Sequence, residues 1–154
     1  MDANYLELLQ PIIMDEENRA LCKPPILEEV KAALWSIPKD SSPGHDGFSA
    51  SFFITAWEFV QFHLLAVAKE YFGGYPLTCG LGTTNIVLIP KVESPNSFAK
   101  FRPISLCSVV YKILSKMMVA RLSPLLDKLI SREQSAFIQG RSIFDNISVA
   151  QEMV

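Results

Sequence analysis

The stretch TNIVLIPKVESPNSFAKFRPISLCSVVYKILSK, residues 84–116, decides how this chain folds. Residues 85–89 form a short apolar run rich in β-branched side chains, and Pro90 confines that run to a sheet edge or a strand end. Residues 102–106 make a second run of the same kind. The ten residues between Lys91 and Arg102 are a loop, so the two runs read as an antiparallel hairpin. From Ser108 the pattern changes to helical spacing, with Val110, Leu114, Met117 and Leu125 on one side of a helix expected over 108–128. Lys112 and Lys116 share another face, and Pro124 is expected to kink or interrupt the helix.

Upstream of the hairpin the chain reads as helical. Leu27, Val30, Leu34 and Ile37 recur on one face of a helix expected over 27–37, with Glu28 and Glu29 in its first turn and Pro38 ending it. The loop KDSSPGHDGF, residues 39–48, is a structured turn by composition, because Pro43, Gly44 and Gly47 take backbone conformations that helices and strands do not. A second helical region starts beside Ser49 as its cap, breaks near Trp57 and stops at Gly73 and Gly74. Within it Phe53, Trp57, Val60, Leu64, Val67 and Tyr71 form a core-facing stripe. Residues 131–154 hold a turn at Gln139–Gly140 and a last helix after Ser142. The fold class is therefore α+β, mostly helical, with one small antiparallel hairpin.

The chain has 154 residues, of which 49% are hydrophobic and 19% charged; that is the size and composition of one packed domain and excludes a disordered or collagen-like chain. Net charge is −2, but its distribution is uneven. Residues 1–83 hold 5 Lys or Arg against 11 Asp or Glu, and residues 84–154 hold 9 against 5, so the parts carry −6 and +4 and a polyanion would meet the second. Cys22, Cys79 and Cys107 are odd in number and far apart, with no ligand spacing. They read as buried free thiols, not as a disulfide frame or a zinc site. Residues 1–10 carry Asp2 and Glu7 and no basic segment before an apolar core, so the chain reads as intracellular, nucleus or cytoplasm undecided. Residues 50–68 are nearly apolar enough to span a membrane. Glu58 interrupts them at a cost of roughly 3 kcal/mol on insertion scales, and their helical stripe is that of a core helix, so no membrane partner is expected.

The hairpin carries the chemistry. Lys91 leaves the first strand and Arg102 opens the second, which puts two cations at its neck, with Lys100 adding to the field. Like charges held close by backbone geometry repel, and an anion between them relieves the repulsion. A triphosphate suits both a point-charge lysine and a forked arginine. From geometry alone the commoner arrangement is that both side chains point into water.

Several strings in fixed order add to this reading: TNIVLIPK (84–91), FRPISLC (101–107), YKILSK (111–116), RLSPLLDKLIS (121–131) and QSAFIQGRSIFDNI (134–147). With SSPGHDGFSASFF (41–53) upstream, they resemble the reverse transcriptases of non-LTR, LINE-like retrotransposons, especially the plant type. The resemblance covers residues 26–154 and implies a short N-terminal segment, 1–25, followed by the fingers and the start of the palm of an RNA-directed DNA polymerase. It implies that Lys91 and Arg102 grip the triphosphate of the incoming nucleotide. It further implies that Gly44 and Gly47 let their loop approach the template, and that Gln134, Phe137, Gly140 and Arg141 lie near template at the base of the fingers. Arg141 would contact phosphate and Phe137 would pack under a base, although a phenylalanine is more often core. His45, Lys100 and Gln139 depart from the family's usual proline, aspartate and proline. His45 is given no role.

Enzymes of this family join nucleotides with two Mg2+ ions held by paired carboxylates. The aspartates concerned are expected after Val154, so this chain is expected to hold no catalytic residue and no metal ligand, and to be inactive alone. Asp127 falls in a helix and Asp145 in the FDNI string; neither has an adjacent carboxylate partner. Mg2+, deoxynucleoside triphosphate, RNA template and DNA primer are implied for the complete enzyme only, and oligomeric state is undecided. Two other readings use the same residues differently: a nucleic-acid-binding module or inert remnant using the positive second part, and a helical protein-interaction domain using the aromatic stripe.

Overall fold

A computed structural model describes residues 12–78, 80–131, 134, 138, 140–142 and 144. Its elements are α1 (Asp15–Leu21), α2 (Leu27–Trp35), α3 (Ala50–Thr55), α4 (Trp57–Phe72), β1 (Thr84–Pro90), a 3-10 turn (Phe98–Lys100), β2 (Phe101–Cys107), α5 (Val109–Leu122), a second 3-10 turn (Ser123–Leu125) and α6 (Leu126–Leu129). The fold is α+β, mostly helical, with a two-stranded antiparallel sheet. The chain divides into two compact units, Pro24–Met117 and a second made of Met1–Lys23 with Met118–Val154.

In the first unit the helices build the core. Glu29 at the third position of α2 accepts the Ile26 backbone N–H at 3.1 Å, satisfying a donor the helix leaves orphaned. The face expected from sequence is buried: Val30, Ala33 and Leu34 in α2, with Ile37 just past its end. Ser49 caps α3, its hydroxyl accepting the Phe52 N–H at 3.3 Å. The break near Trp57 falls at Ala56, which separates α3 from α4. Phe53, Trp57, Leu64 and Ala68 then join Val109, Val110, Ile113, Leu114 and Met117 of α5 in one hydrophobic cluster. Trp35 and Trp57 meet edge to face, centroids 5.2 Å apart at 89°. Among the described residues no helix is long and apolar enough to cross a membrane.

The loop after α2 is fastened to the start of α5. Ser108 is fully buried, and its hydroxyl does two things: it accepts the Tyr111 N–H at 3.2 Å as the cap of α5, and it donates to the Leu81 carbonyl at 3.0 Å. Gly44 lies against the same backbone. A Cβ there would sit 2.5 Å from Ser108 N and 2.7 Å from the Cys107 carbonyl carbon, so only glycine fits. Lys112, one turn along α5, donates from Nζ to Ser41 Oγ at 2.9 Å and to the Ser42 carbonyl at 2.7 Å. The helix expected over 108–128 is interrupted at its proline: Pro124 lies in the 3-10 turn Ser123–Leu125, and α6 is only four residues long.

In the second unit Arg121 donates to the carbonyls of Leu21 and Lys23 at 2.9 and 2.6 Å, and Lys128 pairs with Glu17. Cys22 departs from expectation. It is exposed, because it ends a seven-residue helix that buries none of its side chains; Cys107 is half-buried, and Cys79 lies outside the described residues. The helix expected after Ser142 also lies outside them, apart from Phe144.

Replacing Gly44 with alanine is expected to cost about 1–3 kcal/mol in a denaturant melt, because backbone and not a pliable side chain meets the new methyl group. A second expectation concerns pH. The Lys128 ammonium, then the Met14 N–H, hold the Glu17 carboxyl below its ordinary value of 4.5. A lowered folded-state value means stability present above 4.5 and lost as pH falls through the folded value. Denaturation midpoints measured across that range should therefore fall more steeply for the native chain than for Glu17→Gln.

Candidate nucleotide and nucleic-acid contacts

β1 and β2 pair in register from Thr84 opposite Cys107 to Pro90 opposite Phe101. Beyond the last pair, the Lys91 N–H donates to the Lys100 carbonyl at 2.8 Å. Hydrogen-bonded and non-hydrogen-bonded pairs alternate along an antiparallel ladder. With Lys91–Lys100 bonded, the pairs Pro90–Phe101 and Leu88–Pro103 are non-hydrogen-bonded, so neither proline removes a rung.

Opposed residues share a face, and faces alternate along each strand. One face of the hairpin therefore carries Asn85, Val87 and Ile89 against Leu106, Ile104 and Arg102, and Lys91 follows in the same alternation past the last pair. The other carries Thr84, Ile86, Leu88 and Pro90 against Cys107, Ser105, Pro103 and Phe101. The sequence reading put Lys91 and Arg102 together, and the register sets them diagonally on one face at the hairpin's tip. Both are exposed. Lys91 Nζ donates to the Ala99 carbonyl at 2.8 Å, so its ammonium is held over the loop while keeping two further donors. Every residue of β1 is exposed; Ile86 reaches 69%.

Gly44 and Gly47 stand elsewhere. Gly44 packs on Cys107 and Ser108, at the open end of the hairpin, about 20 Å along the strands from Lys91 at ~3.3 Å per residue. Gly47 has φ +75° and open space where a Cβ would stand, and its N–H donates to the Gly44 carbonyl at 3.2 Å. The Asp46 carboxylate accepts the Phe48 N–H at 3.2 Å, closing the turn, and His45 is exposed. Sequence reasoning missed Ser108 and Lys112, which seat this loop. A serine directly before a helical apolar pattern is a cap signal and pointed to Ser108; nothing in the sequence tied Lys112 to Ser41.

In the second unit Arg141 spends four of its five N–H donors locally. Nη1 donates to the carbonyls of Ser131 and Gln134 at 2.5 and 2.9 Å, and Nη2 to Asp127 Oδ1 at 2.9 Å and the Ile130 carbonyl at 3.2 Å. The side chain is 15% exposed. Arg141 is thus the clamp of its own turn, with Gln134 lending a carbonyl and Gly140 a left-handed φ of +83°. Phe137 lies outside the described residues. Among the described residues no three His, Cys, Asp or Glu side chains gather as a metal-ligand set.

Residues 89–153 match the protein family described as reverse transcriptase (RNA-dependent DNA polymerase). The chain is also 32% identical over 146 residues to the transposon TX1 uncharacterized 149 kDa protein of Xenopus laevis; the alignment covers 94% of this chain and 11% of that protein. It therefore spans about a tenth of the length of this relative. The family match takes in the tip of the hairpin, β2 and α5, and begins at Ile89, the residue opposite Arg102. The chain is thus similar to a transposon protein over nearly its whole length and to the reverse transcriptase family over residues 89–153.

Proposed function

We propose that this chain is the nucleotide- and template-contacting part, fingers and start of palm, of an RNA-directed DNA polymerase of a LINE-like retroelement, with strings closest in wording to the plant type. The observation that carries the proposal is the hairpin register, which puts Lys91 and Arg102 on one exposed face at the tip. There a lysine point charge and an arginine fork face solvent, with two ammonium donors unspent, and a triphosphate accepts from both. The RNA template and DNA primer belong to the complete enzyme, and the positive charge of residues 84–154 suits such a partner.

The described residues do not fit the Mg2+ ions of such an enzyme. Asp127 is turned to Arg141, and among the described residues no three His, Cys, Asp or Glu side chains gather around it. In this reading the described residues bind and orient, and the metal-dependent chemistry falls to carboxylates outside them.

Calorimetric titration of a deoxynucleoside triphosphate is the test. The chain should bind it, and Arg102→Ala and Lys91→Ala should each weaken binding about tenfold, as expected for loss of a charge-assisted contact. Binding that is absent, or indifferent to both changes, would sink the proposal. Mg2+-dependent primer extension by the chain alone would contradict the division of labour.

A further inference from the structure

The residue whose backbone meets that of Lys91 is Lys100, the last residue of the 3-10 turn. The ladder's last rung joins their backbones, Lys91 N–H to Lys100 carbonyl at 2.8 Å, and Arg102 stands one diagonal step further down. Like charges brought close by the backbone destabilise the element that holds them. Lys91 Nζ is tied to the Ala99 carbonyl, so its ammonium is held beside the residue that precedes Lys100.

The hairpin supplies little to neutralise the pair. Between Thr84 and Cys107 the only acidic residue is Glu93, and it forms no ion pair with either lysine among the described residues. Lys100 is half-buried while Lys91 and Arg102 are exposed. Three cations gathered where the strands of one hairpin end suit an anion with several phosphoryl groups better than a single carboxylate.

We infer that Lys100 is a third ligand of the phosphate chain bound at the hairpin tip, forming a three-cation clamp with Lys91 and Arg102. This rests on the reading that a nucleoside triphosphate occupies the tip, and it names a residue that reading does not need.

Inorganic tripolyphosphate, titrated calorimetrically into the full chain at two salt concentrations, tests it, with a thermal melt of each variant. Lys100→Ala should weaken binding about two- to fivefold, as expected for one exposed charge, and Lys100→Asp should weaken it further. Both should flatten the salt dependence. Relief of the like-charge pair should leave the melting temperature of Lys100→Ala unchanged or raised, whereas a structural lysine would lower it. Lys116→Ala, an exposed lysine on α5, is the control and should bind as the native chain does. If Lys91→Ala and Arg102→Ala weaken binding while Lys100→Ala does not, the clamp is wrong and the two-cation reading stands. Weakening by Lys100→Ala accompanied by a lowered melting temperature also overturns the clamp. Indifference to all three changes overturns the reading beneath it.

Discussion

The approach of Gly44 to the backbone of Cys107 and Ser108 is the constraint on which the rest of the first unit depends. At that point the loop after α2, the last residue of β2 and the cap of α5 share a volume too small for a single methyl group. The buried Ser108 hydroxyl meets the demands of two backbones there at once, giving its proton to Leu81 and its lone pair to Tyr111. A buried hydroxyl without such partners costs more than it contributes. Because Ser108 is satisfied on both sides, the hairpin leaves the helical core at a fixed point, and its tip is carried outward from a rigid root.

Much of this was legible in the sequence, and the reasons differ from element to element. The hairpin was readable because two β-rich runs are marked by proline and joined by a short loop. The helix boundaries were readable because Ser49, Ala56–Trp57, Gly73 and Pro124 are local signals whose physics needs no distant partner. Cys22 was misplaced because thiols are usually buried, and only the absence of a buried face on α1 reverses that preference. The roles of Lys112 and Arg141 were not legible. A lysine on a helix and an arginine in a loop look available for phosphate, and only tertiary structure reveals that carbonyl groups have already engaged them.

The candidate site was legible in composition and less so in arrangement. Charge counting found the positive second part, and the hairpin reading found two of its cations. Which lysine faces which is a question of register, and register depends on loop length and the turn at Phe98–Lys100, where a shift of one residue would move Arg102 to the opposite face. The glycines of the loop 39–48 are separated from those cations by the length of the hairpin, so the two groups answer different physical requirements: one close packing, the other repulsion.

The positions of the two prolines have a consequence for how the protein avoids itself. In a non-hydrogen-bonded pair the backbone groups point away from the partner strand, toward the free edge. Pro90 thus deletes a donor from the outer edge of β1, and Pro103 deletes one from the outer edge of β2. Residues 84–89 are uncharged, free of proline and exposed on both faces, the kind of segment that recruits a further strand into an aggregate. Each margin of this small sheet carries one gap in its row of donors, so an incoming strand finds an interrupted template on either side. The hairpin can stay bare of cover at its tip because its own edges are poor hosts.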